Sequence, residues 1–357
     1  MIKIGIDIMG GDYAPYSTLE GVLYSLMENK DLYVVATYHK DVDLNDLMKK
    51  IFVSSPKRSK IRGFIKNNLW KSRLNFIPCS SYVSMKDKPS NFFKDKDNTL
   101  NKIFELLKMK EVDGVVYAGN TGAFLEGSVL IVGRIDNVKR PALLTILPFS
   151  NPPIFLLDSG ANAECKPEYI LQFAIMASTY YKIIVSKTPT VGILNIGNEE
   201  IKGNTLTKEA NILLKNYIER NGNLFNYIGF VEPYDVVNSK VNIVLADGFS
   251  GNIMLKSFES LSEYMMDVLK KEFSKGLINK ALGLVLRSNF RRLKNFFDYS
   301  EYGGAIMLGL KGICIKTHGR ANYKAIKNAI NFTYKLAKNN IIERIHEQIK
   351  SGEVWIT

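Results

Sequence analysis

Groups able to hold an anion are concentrated at one turn, Gly119-Asn120-Thr121-Gly122. An apolar run before the turn, residues 115–118, predicts a buried strand, and helical spacing of the apolar residues after it predicts a helix. Thr121 is the predicted N-cap, because its hydroxyl can accept from a free amide of the first turn. The amides and dipole of such a turn attract anions. The pattern favours a phosphate or oxyanion cradle, but a tight turn without a ligand would use the same residue types.

Four further apolar runs end in similar turns rich in Gly, Asn, Asp and Ser, and each run predicts a strand. These runs are residues 2–8, 154–157, 191–196 and 241–246. Ser17 and Glu20 have the spacing of a capping box and predict a helix after the first turn. Right-handed crossovers bring the ends of parallel strands to one edge of a sheet, and ligands bind there. The sequence therefore predicts a site built from these turns.

Composition narrows the chemistry of such a site. The 357 residues include three cysteines and three histidines, too few and too scattered for a disulfide framework, a zinc site or a His-rich metal centre. No two glycines have G-x-G spacing, so the dinucleotide fingerprint is missing, and so is the P-loop. No apolar run approaches the ~20 residues of a spanning helix. We predict a reduced, cytoplasmic protein without a metal or a conventionally bound nucleotide.

The formal net charge of +13 has two explanations. One is an acidic partner, such as nucleic acid, anionic lipid or an acidic carrier protein. The other is a generally lysine-rich composition, which accounts for most of the excess. The charge alone therefore does not identify a partner.

An ordered series of motifs extends over nearly the whole chain. It includes IDIMGGDYAP (Ile6 to Pro15), MKDKPS (Met85 to Ser90), AGNTGA (Ala118 to Ala123), DSGANAECKPEYILQFA (Asp158 to Ala174), DGFSGNIMLK (Asp247 to Lys256) and HGRANYKAIKNAI (His318 to Ile330). In this order and spacing the motifs resemble the phosphate acyltransferases of bacterial phospholipid synthesis, the PlsX family. Tyr13, Lys316 and Arg320 depart from the family pattern, and Tyr13 puts in doubt any histidine role near the first turn.

The resemblance implies an α/β protein with a Rossmann-like α/β/α sandwich and a mostly parallel sheet, related to the phosphotransacetylase and isocitrate-dehydrogenase-like folds. It implies one large domain over residues 1–357, with a protruding helical, membrane-facing segment at about 262–298. The implied reaction moves a fatty acyl group from acyl carrier protein to inorganic phosphate. The acyl phosphate would then serve a downstream glycerol-3-phosphate acyltransferase. No cofactor is expected, and the implied assembly is a homodimer.

Phosphate can attack a thioester if its charge is held, a donor meets the developing oxyanion and a cation is positioned. With the resemblance, this chemistry assigns catalytic roles to Lys166, Asn120 and Asn252. The expected phosphate- and substrate-binding residues are Asp7, Gly10, Gly11, Asp12, Gly119, Thr121, Gly122, Asn162, Lys202, Asn204, Asp247, Ser250, Gly251 and His318. A solvated lysine at a helix start would equally explain Lys166, and a structural hydrogen bond would equally explain His318.

Residues 274–297 interleave apolar and basic side chains on a predicted helical segment. Such a segment is typical of an element that lies in a membrane interface. The residues expected to face the membrane are Leu277, Ile278, Leu282, Leu284, Val285 and Leu286. The alternative is a buried dimer helix with a solvated basic rim. We favour peripheral association with the membrane, because the implied product is lipophilic.

Two other functions remain open. One is a short-chain phosphotransacetylase that uses acyl-coenzyme A. The other is a non-catalytic, basic protein that binds membrane or nucleic acid. No nucleic-acid-binding motif supports the latter, and we predict no nucleic-acid partner.

Overall fold

The computed structural model describes residues 1–54, 58–89, 92, 94–221, 224–297 and 303–351. The chain divides into two compact units, Met1–Pro141 with Ser300–Thr357 (unit 1) and Ala142–Tyr299 (unit 2). The organisation of residues 1–357 as one domain stays a prediction.

Strands of the described residues alternate with helices along most of the chain. The strands are β1 (Ile2–Asp7), β2 (Leu32–His39), β3 (Leu74–Cys79), β4 (Gly114–Tyr117), β5 (Ala142–Leu147), β6 (Ile154–Leu157), β7 (Thr190–Leu194), β8 (Asn226–Val231), β9 (Ile243–Leu245), β10 (Ala305–Leu308) and β11 (Ile313–Lys316). The helices are α1 (Tyr16–Glu28), α2 (Leu44–Ser54), α3 (Arg58–Lys66), α4 (Thr99–Lys108), α5 (Thr121–Gly127), α6 (Pro167–Val185), α7 (Thr205–Asn221), α8 (Pro233–Val237), α9 (Gly248–Glu272), α10 (Gly276–Val285), α11 (Arg287–Phe297), α12 (Tyr323–Lys338) and α13 (Ile341–Ser351). A π-helical turn, Ser128–Val132, follows α5.

Unit 1 is a sheet in the order β3-β2-β1-β4-β11-β10. Its strands pair in parallel except for the antiparallel pair β10 and β11. β4 is buried along its whole length, as is expected of a strand covered on both faces. Helix α12 packs on both α1 and the central strands β1, β4 and β11. The carboxyl ends of the parallel strands therefore emerge at one edge of this unit.

Unit 2 has the strand order β5-β6-β9-β7-β8. β6, β9, β7 and β8 are parallel neighbours, and only β5 runs antiparallel to β6. A core cluster that includes Leu156, Val244, Ala246 and Met254 joins the strands to α9. Both units are mostly parallel α/β, so the predicted fold class is confirmed.

Two predicted helix starts are wrong. Ser17 and Glu20 do not form a capping box: α1 begins at Tyr16 after Pro15, which gives no side-chain cap, and the Glu20 side chain is buried. Thr121 is not the N-cap of α5 either. Asn120 is the cap, and Thr121 is the first helical residue. The helix starts two residues earlier than the hydroxyl pattern indicates in α1, and one residue earlier in α5.

The predicted membrane-facing segment falls on the end of α9 and on α10 and α11. Phe273 and Phe290 meet edge to face at 4.9 Å and join α9 to α11. Ile278, Leu282, Leu284 and Val285 are exposed, whereas Leu286 is half-buried and the Leu277 side chain lies outside the described part. Among the described residues, no helix is long and apolar enough to cross a membrane.

Candidate functional site

Asp7 ends β1 and fixes the turn that follows it. One carboxylate oxygen accepts the Met9 amide hydrogen at 2.8 Å, and the other accepts the Thr99 hydroxyl hydrogen at 2.8 Å. The side chain is 1% exposed, and burial raises its pKa from 3.8 to about 7 although both hydrogen bonds oppose the rise. Asp7 is therefore suited to positioning the turn rather than to contacting a substrate.

The turns after β1, β4 and β11 converge in unit 1. A Cβ placed on Gly10 would lie 2.8 Å from the Gly119 amide nitrogen, so the first two turns touch through their backbones. The Asp12 amide donates to the Gly319 carbonyl oxygen at 2.7 Å, which joins the first turn to the third. Gly11 between them has φ +108, a conformation that glycine adopts without strain. A side chain in place of these glycines would push the turns apart, so the arrangement depends on the close approach of their backbones.

The side chain of Asn120 forms hydrogen bonds within the protein. Its oxygen accepts the Ala123 amide hydrogen at 3.1 Å and caps α5. Its amide nitrogen donates to the carbonyl oxygens of Asp87 at 2.8 Å and Met85 at 3.4 Å. Its backbone amide donates to the buried Tyr117 hydroxyl at 3.2 Å. Asn120 thus links the β4 turn to the loop at residues 85–89 and leaves the start of α5 facing the cluster.

The first turn of α5 supplies backbone donors. Thr121 is exposed, and Gly122 packs so closely on Pro89 that a Cβ there would overlap the proline ring. Within the described part of the chain, the Thr121 and Gly122 amides have no hydrogen-bond partner, as is usual for the first residues of a helix. These amides are therefore available as donors to an anion.

His318 follows β11 and is half-buried. Its Nδ1 accepts the Arg320 amide hydrogen at 3.0 Å, so the ring shapes its own turn. The neighbouring Thr317 amide donates to the Tyr117 carbonyl oxygen at 3.0 Å and ties this turn to β4. His318 therefore has a structural contact in addition to any contact with a substrate.

In unit 2, Asp158 organises the loop after β6. One carboxylate oxygen accepts amide hydrogens from Leu143, Gly160 and Ala161 at 2.9–3.0 Å. The other accepts the backbone and side-chain amides of Asn162 at 2.7 and 2.8 Å. Burial raises the pKa of this carboxyl, while the five donors favour its charged form. The loop is thereby held around a single buried side chain.

The N-terminus of α9 rests directly on this loop. The Gly248 amide donates to the Asn162 carbonyl oxygen at 2.7 Å. A Cβ on Gly251 would overlap the Asp158 carbonyl oxygen, so glycine is required at that position. Asp247 is the N-cap: its carboxylate accepts the Ser250 amide at 2.8 Å and the Ser250 hydroxyl at 3.0 Å. Ser250 is thus engaged, whereas Asn252 is exposed and lies beside Gly160.

The two candidate cations of unit 2 are exposed. Lys166 is the N-cap residue of α6, and its side chain makes no capping hydrogen bond. Lys202 lies in the loop after β7, where the Asn204 side chain accepts the Thr207 amide hydrogen at 2.9 Å and caps α7. Neither lysine forms an ion pair with another described residue. Both ammonium groups are therefore available to an anionic ligand.

The predicted residues assemble within each unit. Unit 1 brings together Asp7, Gly10, Gly11, Asp12, Gly119, Asn120, Thr121, Gly122 and His318. Unit 2 brings Asn162, Asp247, Ser250, Gly251 and Asn252 to the loop after β6. Among the described residues, no group of three His, Cys, Asp or Glu side chains could hold a metal.

Several site residues were not predicted. Tyr117 lies within the apolar run of β4, and its hydroxyl shapes the Asn120 turn. Asp87 and Met85 hold Asn120 through backbone carbonyls, for which side-chain types give no signal. The MKDKPS motif at residues 85–90 was the available sequence signal for this loop, although Ser90 itself lies outside the described residues.

Comparison with known proteins identifies relatives along the full chain. Residues 2–344 match the family model described as "Fatty acid synthesis protein". The phosphate acyltransferase of Clostridium tetani is 42% identical over 354 residues, 99% of this chain and 99% of the relative. That of Dictyoglomus turgidum is 39% identical over 349 residues, 97% of each chain.

Solved structures share the fold at much lower identity. A phosphotransacetylase from Streptococcus pyogenes has a TM-score of 0.57 at 13% identity and covers 95% of this chain and 94% of its own. The EutD phosphotransacetylase from Staphylococcus aureus has a TM-score of 0.55 at 14% identity, with 94% of each chain covered. The predicted relation to the phosphotransacetylase fold is confirmed.

Proposed function

This chain belongs to the fatty acid synthesis protein family and is an acyltransferase, and we propose that it moves a fatty acyl group from acyl carrier protein to inorganic phosphate. The observation that carries the proposal is the full-length similarity to relatives named phosphate acyltransferase. The products would be acyl phosphate and free carrier protein. In phospholipid synthesis, a glycerol-3-phosphate acyltransferase would consume the acyl phosphate.

The residues support direct attack of phosphate on the thioester. A phosphate oxygen forms a bond to the carbonyl carbon, the C–S bond breaks, and the carrier's thiolate leaves without a strong acid. Lys166 would balance the charge that develops on the carbonyl oxygen, and Asn252 would donate a hydrogen bond to it. No metal or organic cofactor has a role in this scheme.

The other predicted residues would bind or position. Asn120 is assigned a positioning role because its side chain caps α5 and holds the loop at residues 85–89. The amides of Thr121 and Gly122 are suited to phosphate oxygens, since they lie at the positive end of a helix. Lys202 and the first turn of α9 offer further positive potential in unit 2.

Acyl carrier protein is the proposed donor because the motifs of this chain resemble those of a family whose implied donor is acyl carrier protein, and the net charge of +13 suits an acidic partner without identifying it. Attraction between exposed charges raises the rate at which the two proteins meet. Salt screens this attraction, with a screening length of ~8 Å at physiological ionic strength. The test compares kcat/KM for one acyl group on carrier protein and on coenzyme A at rising salt. Preference for coenzyme A would favour the short-chain phosphotransacetylase alternative and overturn the proposed donor.

We further propose a homodimer that is cytoplasmic and associates with the membrane surface. Helix α9 carries an exposed apolar stripe, Leu261, Tyr264, Met265 and Val268, whose helical spacing suits a second copy of the helix. On α10, exposed apolar residues stand close in sequence to exposed Arg287, Arg291 and Arg292 of α11. Apolar and basic residues together suit an anionic membrane surface. Sedimentation and vesicle binding measure the two properties separately.

A further inference from the structure

Unit 2 contains a cavity of about 650 Å³, and most of the residues that line it are not among the predicted site residues. Its apolar walls come from α6, β7, α7 and α9. They include Ile170, Ile193, Leu206, Ala210, Met254 and Phe258. A cavity of this size lies within the range of ligand pockets, ~300–1,000 Å³.

The inner part of the cavity is continuous with the hydrophobic core. Ile193, Ala210 and Met254 are buried, and Met254 belongs to the core cluster against which Phe258 packs. An apolar ligand that entered here would leave water for a surface with the character of the protein interior.

The mouth of the cavity differs from its interior. Asn204, Asp247 and Ser250 line it at the carboxyl ends of β7 and β9, beside the N-terminus of α9. Two apolar side chains of the lining are strongly exposed, Ile196 at 82% and Ile253 at 51%. A ligand that fits both parts has a polar head and a long apolar tail.

We propose that this cavity holds the fatty acyl chain, with the thioester or acyl phosphate head at the N-terminus of α9. The assignment rests on the proposed function, which supplies an amphiphile with a single apolar chain. Benzene fills a cavity of about 150 Å³, so a volume of 650 Å³ accommodates on the order of 20 carbon atoms. The head would then lie at Asp247 and Ser250, in the first turn of the helix that carries Asn252, the proposed oxyanion donor.

Chain length gives the proposal a quantitative signature. Each buried methylene strengthens binding by about fourfold, the equivalent of ~0.8 kcal/mol. Affinity should therefore rise steeply with chain length and level off when the cavity is full. A surface patch or a head-group site alone would not give a plateau that depends on the cavity's volume.

The experiment measures calorimetric binding of butyl, octyl and dodecyl phosphate, below their micelle concentrations, to the full chain. Octyl phosphate should bind on the order of 100-fold more tightly than butyl phosphate. Leu206→Trp reduces the cavity's volume and should remove most of the gain from the longer chains. Ile212→Trp, on the exposed part of the same helix, is the matched control and should keep the wild-type slope.

A second variant, at an exposed position, distinguishes a loss of binding from a loss of folding. Ile253→Glu places a negative charge at the exposed mouth, beside the proposed head group, and should weaken binding of all three alkyl phosphates by a similar factor, with an unchanged thermal transition. Equal affinity of the wild type for the three alkyl phosphates, or a wild-type slope in Leu206→Trp, would overturn the proposal. So would a change of oligomeric state in the variants without any change in alkyl phosphate affinity, since a second copy would then occupy the cavity.

Alkyl phosphate binding requires no acyl transfer, so the two proposals fail separately. A chain-length slope that is lost in Leu206→Trp, in a protein without transferase activity, would keep the cavity assignment and reject the reaction. Transfer of long acyl chains at the same rate by wild type and Leu206→Trp would do the reverse.

Discussion

The strand ends of unit 1 and unit 2 are built in different ways. In unit 1 the turns touch through glycine backbones, and the best donors are main-chain amides. In unit 2 the loop after β6 and the N-terminus of α9 hold exposed side chains, Lys166 and Asn252, on a rigid frame. Unit 1 therefore offers main-chain donors for an anion, whereas unit 2 offers exposed side chains, to which the proposed function assigns the stabilisation of charge during the reaction.

The two units also differ in how they hold a buried carboxylate at the end of a strand. Asp158 receives five hydrogen bonds and Asp7 only two. A carboxylate with many donors tolerates its charge, while one with few donors retains a proton to a higher pH. In Asp158, burial raises the pKa and five donors oppose the rise, whereas the two donors of Asp7 leave its pKa at about 7.

The largest expected effect comes from Gly251→Ala. The added methyl group would overlap the Asp158 carbonyl oxygen and push α9 away from its loop, at a cost of several kcal/mol. The urea concentration at the midpoint of unfolding should fall sharply, and turnover should be severely reduced. Gly63→Ala in α3 is the control, because its Cβ meets open space and alanine favours a helix by ~1 kcal/mol. Equal stability of the two variants would refute the contact.

Lys166→Ala tests whether the ammonium group of Lys166 stabilises charge during the proposed reaction. Loss of the positioned cation should lower kcat by on the order of 10² without changing the melting temperature, since the side chain is exposed. Lys208→Ala, another exposed lysine of unit 2, should keep wild-type turnover. If both variants retain full kcat, the lysine at the start of α6 is only solvated surface.

The exposed face of α10 should hold the protein on anionic vesicles. Leu282→Glu with Leu284→Glu should weaken vesicle binding by at least about tenfold, because apolar burial is lost and negative charge is added. Leu286 is left unchanged, since it is half-buried. Ile212→Glu with Ile228→Glu gives the same charge change elsewhere on unit 2 and should bind as wild type. Cosedimentation of the α10 variant at the wild-type level would exclude this segment as the anchor.

The smallest expected effect is on stability and comes from Asp7. Its folded pKa of about 7 exceeds the ordinary 3.8, so the folded state keeps a proton that the unfolded chain has released. Stability should therefore fall as pH rises between about 4 and about 7. Relative to Asp7→Asn, the wild-type free energy of unfolding should drop by at least about 1 kcal/mol from about pH 5 to about pH 8. Parallel pH profiles of the two proteins would show that Asp7 does not titrate there.

Apolar runs predicted the strands that lead into the turns of the site, and residues 154–157 are a strand with the predicted bounds. Strands β8 and β10 were not predicted. β8 alternates exposed and half-buried residues at its start, and β10 pairs antiparallel, outside the repeated strand-and-turn pattern. Residue types located the turns but not the helix caps, because Asn120 and Thr121 are both good caps and only the backbone decides between them.

Long-range packing limited prediction of the site. The cavity of unit 2 is lined by residues from Ile170 to Phe258, so no local periodicity reveals it. The commitment of Asn120 to the loop at residues 85–89 likewise depends on backbone carbonyls far away in the sequence. Glycines gave a more reliable signal, since Gly10 and Gly251 both mark close backbone approaches.

The most direct measurement is the formation of acyl phosphate from long-chain acyl carrier protein and radiolabelled inorganic phosphate. The proposed reaction predicts one labelled acyl phosphate for each thiol released, and no thiol release above the rate without enzyme when phosphate is omitted. Hydroxylamine should convert the labelled product to a hydroxamate and return the label to inorganic phosphate. Thiol release without phosphate, or no labelled product in the presence of both substrates, would contradict transfer from carrier protein to phosphate.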